Sequence, residues 1–428
     1  MSRDCVIRDL RVTPVAFRDA PLLNASGIHE PWALRGIVEL EDSQGRVGIA
    51  ETYGDRPMLR ALEEARSTVI GLSPFDLNPM EQRVHAAIKP AAGAIELMLA
   101  PGTHAAKNAA KVCSAFEVAM LDLQGQRLNA PVCDLLGGAV REAVPYSAYL
   151  FFKYAEHVGR PYAPDAWGEA LSPAQIVKQA QTMIAQYGFG SIKLKGGVFE
   201  PAHEIECMRA LRQAFPQMPL RLDPNANWSL ATSVAAAAEL DDLLEYYEDP
   251  TPDLEGMAAL AAQTRLPLAT NMVVTTFDEF RRSVTMGSVQ GSVKVVLSDH
   301  HYWGGMRATR TLARLCEVFG LEISMHSNSH LGISLIAMTH VAASVPNLGY
   351  ACDTHYPWQE EEVIEGGRVR FQDGSVRVPT APGLGVTLDR KMLATLHRQY
   401  LECGVRDRND LAQMKKYDPS FTGQCPRF

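Results

Sequence analysis

The 428-residue chain has no long apolar run, no clustered cysteines and no excess of positive charge. A membrane-spanning helix needs about 20 consecutive apolar residues, and no stretch supplies them. The N-terminal "MSRDCVIRDLRVTPVAF" alternates apolar and polar residues like a strand, without the unbroken apolar centre of a signal peptide. The eight cysteines form no CxxC and no close Cys/His grouping, which excludes a zinc site of the usual spacing and fits reduced thiols in a cytoplasmic protein. A formal net charge of -8 argues against nucleic acid or an anionic membrane as partner, since both are held by a clustered basic field. An acidic small molecule held by a few local cations remains open.

What is present is ample material for a core. Hydrophobic residues make up 46% of the chain, and the length exceeds the roughly 250–300 residues at which one core stops growing, so more than one domain is expected. The first hundred or so residues mix strand-like runs ("RGIVELED", "RVGIAETYGD") with a helical pattern near residues 59–71, an α+β unit. From about residue 145 the chain alternates short β-rich runs with helices. The helix in "LSPAQIVKQAQTMIAQYG" carries Ser172 as N-cap, Pro173 in the first turn and Gly188 at its stop. Seven or eight such β/α units, with right-handed crossovers, favour a closed (β/α) barrel over an open sheet.

Polar residues recur where each strand ends: Lys193 and Lys195, Asp223 and Asn225, Glu248, Asn271, Asp299, His326 and Asn328, His355. In a barrel these ends converge on one mouth. Lys193 and Lys195 in "SIKLKGG" point the same way because side chains on a strand repeat every second residue. Lysines that guard an exposed sheet edge fit poorly between two helices. A pair of interior cations instead predicts that one lysine is drawn toward the neutral range of a general base. Asp223, Glu248 and Asn271, on three successive strand ends, suit a hard divalent cation, Mg²⁺ above all; Glu255 competes as a ligand. Asp299 and His326 form a carboxylate–imidazole pair. His300, His301, His330 and His340 are assigned ordinary core or surface roles.

This ordered set resembles the enolase superfamily, and in detail its glucarate dehydratase branch, over nearly the whole chain. The resemblance is carried by "NASGIH" (24–29), "AFEVAMLDLQGQRLNAPVCDLLGG" (115–138), "YLFF" (149–152), "KLKGG", "DPNANW", "YYEDP", "ATNM", "MHSNSH" (325–330), "CDTHYPWQE" (352–360) and "GVRD" (404–407). It implies an α+β capping domain over residues 1–135, a modified TIM barrel over 136–385, and a tail over 386–428 that completes the cap. It implies a cytoplasmic, homo-oligomeric, Mg²⁺-dependent hydro-lyase. Such an enzyme removes the proton α to a carboxylate of an acid sugar, most closely glucarate, and then expels the β-hydroxyl to leave a keto-deoxy acid. Lys195 matches the base on one face, with Lys193 as its electrostatic support. The Asp299–His326 pair matches the acid/base on the other, and Asp223, Glu248 and Asn271 match the metal ligands. Asn24, His29, Thr103, Tyr149, Asn225, Asn328, His355 and Arg406 match residues that contact the sugar acid. His104, Gly304 and Gly305 depart from the family pattern and bear on the distal pocket, so another aldarate or aldonate stays open. A racemase or epimerase on the same scaffold, a Schiff-base aldolase using Lys195, and a non-catalytic binding protein are the alternatives.

Overall fold

The computed structural model describes residues 5–89, 102, 104–158, 165–285 and 293–428. The N-terminal alternation forms β1 (Ile7–Arg18), antiparallel to β2 (Trp32–Asp42), which pairs with β3 (Val47–Tyr53). Helices α1 (Arg56–Glu64) and α2 (Asn108–Leu128) pack on this sheet. Every residue of α2 from Lys111 to Gly125 is buried, because the helix also packs against barrel elements; a helix buried all round loses its amphipathic pattern.

The barrel strands are β4 (Ala148–Phe151), β5 (Ile192–Lys195), β6 (Leu220–Asp223), β7 (Tyr246–Glu248), β8 (Leu268–Thr270), β9 (Val293–Ser298) and β10 (Glu322–Met325). They pair in parallel in chain order. The helices between them are α3 (Pro173–Tyr187), α4 (Pro201–Ala214), α5 (Leu230–Leu240), α6 (Leu254–Ala261), α7 (Phe277–Thr285) and α8 (Met306–Val318); α9 (Gly332–Ala343) follows β10. In α3, Ser172 and Gln175 form a reciprocal capping box and Gly188 adopts the left-handed C-cap.

The sequence predicts a further strand in "LGYACDTH", and the structure forms only isolated bridges there. Those bridges nevertheless close the barrel. Ile323 and Asp353 donate to Asn347 and Met325 on one side, while Cys352 and Ser147 exchange bonds with Pro145 and Cys352 on the other. After the barrel, α10 (Arg390–Glu402) returns to β1. There Tyr400 and Cys403 pack with Ala16 and Leu34, and His397 meets the Pro14 carbonyl at 2.7 Å.

The period of two sorts the barrel interior into layers. Below the mouth, Arg221 lies 4.7 Å from the Tyr246 ring and bonds Glu245, beside an apolar group of Tyr246, Ala269, Val295 and Leu297. Two residues further along the same strands come Asp223, Glu248, Asn271 and Asp299, all buried. The loop after β5 is held by one buried carboxylate: Glu204 accepts from the N–H groups of Gly197, Val198 and Phe199 at 2.8–3.0 Å. Gly197 has φ +71°, and a Cβ there would stand 2.0 Å from the Pro224 carbonyl oxygen. Gly197→Ala is therefore expected to destabilise the protein by more than about 1 kcal/mol, seen as a lower unfolding temperature. Alanine at Gly190, where a Cβ meets nothing within 4 Å, is expected to leave it unchanged.

Candidate active site

The two lysines of β5 point into the barrel mouth. Lys193 is fully buried, with its ammonium 2.7 Å from Asp353, 2.6 Å from Glu248 and 3.4 Å from Asp223, and 4.8 Å from the Tyr149 ring centre. Burial alone would lower its pKa, but Asp353 and Glu248 hold it well above the ordinary lysine range. Lys193 is thus kept as an ammonium, as its supporting role requires, because the carboxylates outnumber the ammonium groups. Lys195 donates to Asp223 Oδ2 at 2.7 Å and to Asn225 Oδ1, and it lines the cavity at the barrel mouth.

Asp223, Glu248 and Asp249 each offer a ligand atom, and these atoms lie within 4.8 Å of one another. Asp249 is the member that sequence reasoning missed. It accepts from Thr270 Oγ1 at 2.6 Å and from the N–H groups of Asn271 and Met272, which ties down the end of β8. Asn271 donates through Nδ2 to Glu248 Oε1 at 2.5 Å, leaving its Oδ1 as the atom with which it can ligate. Glu255, the competing ligand, is exposed in the first turn of α6.

The donor set fits a hard dication on two grounds. Four buried carboxyl groups, Asp223, Glu248, Asp249 and Asp353, face two ammonium groups, an excess of two acids that a dication would balance. Glu248 Oε2 is buried and makes no hydrogen bond, its one partner being the Lys193 ammonium in an ion pair at 2.6 Å. Burial, then repulsion from Asp223 and Asp353 against the pull of Lys193, pushes Glu248 well above the usual carboxyl range, and burial with Asp223 pushes Asp249 up to about 7. Asp223 is held below its ordinary value by Lys195 and Lys193, against the effect of burial.

Asp299 ends β9 and His326 ends β10, with His326 Nδ1 3.2 Å from Asp299 Oδ2. His301, which the sequence assigned an ordinary role, takes the other oxygen: its Nδ1 lies 2.7 Å from Oδ1. Burial opposes ionisation of Asp299, but His301 and His326 hold its pKa well below the usual range. In strand order β5 and β9 stand on opposite sides of the closed barrel. Lys195 and the Asp299–His326 pair thus face each other across the mouth, with the carboxylate cluster along the arc between them.

Asn24, His29, Tyr149, Asn225, Asn328 and His355 all line the cavity with Lys195 and His326. Asn24 donates to Asp410 at 2.7 Å, and His29 Nδ1 meets Asp19 at 3.0 Å. His355 packs against Tyr149 and Phe151, each 4.9 Å between ring centres; burial and neighbouring imidazoles hold it neutral. Thr103 lies outside the described residues.

Arg406 is not at the mouth. Its guanidinium donates to the carbonyls of Tyr400, Leu401 and Val405 and stacks 4.5 Å over Tyr400, capping α10. The guanidinium in the cavity is that of Arg408, which bonds Asn328 Oδ1 at 3.2 Å and Asp410 at 2.6–2.7 Å. Two arginines in "VRDR" are indistinguishable by pattern. Gly304 and Gly305 also lie away from the cavity: a Cβ on Gly305 would meet Glu117 of α2. His104 lines a separate cleft with Asp253, Glu279 and Arg282.

Residues 175–392 match the family model "Enolase C-terminal domain-like". The "Probable glucarate dehydratase" of Streptomyces coelicolor is 50% identical over the whole of both chains. The D-xylonate dehydratase of Haloferax volcanii is 23% identical over 84% of each. Among solved structures, an enolase from Pseudomonas fluorescens Pf0-1 with bound magnesium, potassium and tartrate shares 58% identity and a TM-score of 0.96 over the whole of both chains. One from Mycobacterium smegmatis complexed with tartrate shares 52% identity and a TM-score of 0.93 over the same extent.

Proposed function

The chain belongs to the enolase superfamily, in its glucarate dehydratase branch, and on that premise we propose that it is a Mg²⁺-dependent dehydratase of acid sugars with glucarate as substrate. The observation that carries this reading is the opposition of Lys195 and the Asp299–His326 pair across a buried acid cluster. Asp223, Glu248 and Asn271 would hold the ion, with Asp249 positioning the Asn271 loop. A bound Mg²⁺ supplies positive charge to the substrate carboxylate, where the enediolate forms.

The chain's own groups do the rest. Lys195 takes the proton from the α-carbon, and the C–H electrons move into the carboxylate. The Lys193 ammonium lies beside the acid cluster, where the new negative charge develops. On the opposite face, protonated His326 gives its proton to the β-hydroxyl as the C–O bond breaks, and water leaves. The resulting enol becomes the keto-deoxy acid. His29, His355 and Asn328 bind the hydroxylated chain of the substrate, and Tyr149 and Phe151 wall it.

A diacid needs a second anion site, and Arg408 is the guanidinium in the cavity. Tartrate, a hydroxy diacid, is bound in two of the related enzymes, which supports a substrate of that class. A charge-assisted hydrogen bond contributes about 1.5–3 kcal/mol, so Arg408→Met is expected to raise KM for a diacid by about 10–100-fold. Arg406→Met is expected to leave KM within about twofold, since its guanidinium only caps a helix; steady-state kinetics on the two variants decide between the arginines. Production of a keto-deoxy acid from glucarate with Mg²⁺, and its loss with a chelator, tests the overall assignment. Chelator-insensitive activity trapped by borohydride would favour a Schiff base at Lys195 instead.

A further inference from the structure

His301 is a buried imidazole that the reaction above does not use. It is packed on all sides by residues that define its proton. Its backbone N–H and its Nδ1 both face Asp299 Oδ1, at 2.9 and 2.7 Å. Its Nε2 faces Arg35 Nη2 at 3.1 Å and Ser334 Oγ at 2.9 Å. Arg35 comes from β2 of the cap and is itself held fast: its Nε donates to Glu51 of β3 at 2.7 Å, and both side chains are buried. Glu51 also accepts from the N–H groups of Leu331 and Ser334 at the entry to α9. The guanidinium cannot turn away without leaving the buried Glu51 carboxylate with no counter-charge.

A guanidinium has donors and no acceptor. The nitrogen opposite it must therefore present a lone pair, so His301 Nε2 is bare and the ring proton sits on Nδ1, donated to Asp299. Ser334 completes the set by accepting from Arg35 at 3.3 Å and donating to the same lone pair. The other groups around the ring are Tyr53, 5.6 Å away and edge-on; His300, 4.0 Å away; and His330. Both of these histidines are held neutral by burial, His330 at about 4.

We propose that Arg35 of the cap locks His301 as the neutral Nδ1–H tautomer, making His301 a positioning residue that fixes Asp299 and leaves His326 as the imidazole of this trio that carries the proton. Without the lock, His301 could take a second proton and compete for the charge of Asp299 on the side away from the cavity. Seating of the cap sheet is thereby coupled to the acid/base pair of the barrel. The role given to His326 rests on the dehydratase reading, whereas the tautomer of His301 does not.

The test is the ring ¹H–¹⁵N long-range correlation spectrum of ¹⁵N-histidine-labelled protein at pH 7.5, with His301 identified by the signals missing from His301→Leu. The expected pattern is a pyrrole-type Nδ1 and a pyridine-type Nε2. A protonated Nε2 in the wild type overturns the proposal. Arg35→Lys, whose ammonium also only donates, should keep the pattern, and Arg35→Met should let Nε2 gain a proton; a bare Nε2 in Arg35→Met overturns it. If Arg35→Met fails to fold, the wild-type and lysine spectra decide. In turnover, His301→Leu should lower kcat by about tenfold or more with KM within about twofold, and a change in KM alone contradicts a positioning role. The spectrum needs no turnover, so it reads the tautomer of His301 equally well if the enzyme proves not to be a dehydratase.

Discussion

Lys195→Ala is expected to lose turnover by about 10²–10⁴-fold, the usual contribution of a positioned general base. The loss should be confined to chemistry. Lys195 reaches the acid cluster only through Asp223, at 2.7 Å, while Lys193 keeps its ion pairs with Asp353 and Glu248. Removing one ammonium from the cluster takes away a competitor for a dication, so Mg²⁺ affinity should hold or rise. The decisive readout is exchange of the α-proton with solvent deuterium. Exchange on the face served by Lys195 should vanish, and exchange on the face served by His326 should persist for a substrate of the matching configuration. Retention of exchange on the lysine face would show that another group is the base.

Asp223→Ala should have the complementary signature. Loss of an outer-shell partner weakens metal binding by about 10–100-fold, and removal of a charged ligand from a buried site should weaken it at least as much. Asp223 also accepts from Lys195 and lies 3.4 Å from Lys193, so the variant loses turnover as well as metal. Calorimetric titration with Mg²⁺ separates the two losses. If activity returned fully at high Mg²⁺, Asp223 would act as a ligand alone; if it stayed low, Asp223 would also position Lys195. Unchanged Mg²⁺ affinity in Asp223→Ala would remove Asp223 from the ligand set.

How far the site could be read from the chain depends on the range over which each feature is decided. The strand-end residues were legible because the signal is local: each of Asp223, Glu248, Asn271 and Asp299 is the polar residue that closes a short β-rich run, and the period of two places Lys193 and Lys195 on one face. Closure of the barrel was expected from the count of β/α units, but not the way it is made, since the segment around Cys352 bonds both neighbours without forming a regular strand. Asp353 was passed over, although it precedes His355 by two residues in a run the sequence predicts as a strand and so shares its face. Arg408 and Arg406 differ only in how the chain turns after α10. The link from Arg35 through His301 to Asp299 spans 264 residues in sequence and arises where cap and barrel meet. The lysine pair was located, but the carboxylates that hold Lys193 as an ammonium, Asp353 above all, come from elements far apart in the chain.

The most direct test of the central claim is a proton NMR time course of the protein with Mg²⁺ and glucarate in D₂O. Dehydration predicts that the substrate signals fall while a keto-deoxy product appears, carrying deuterium at the new methylene. Deuterium entering the α-position of unreacted glucarate or its epimer, with no loss of hydroxyl, would contradict dehydration and point to a racemase or epimerase built on the same pair of bases.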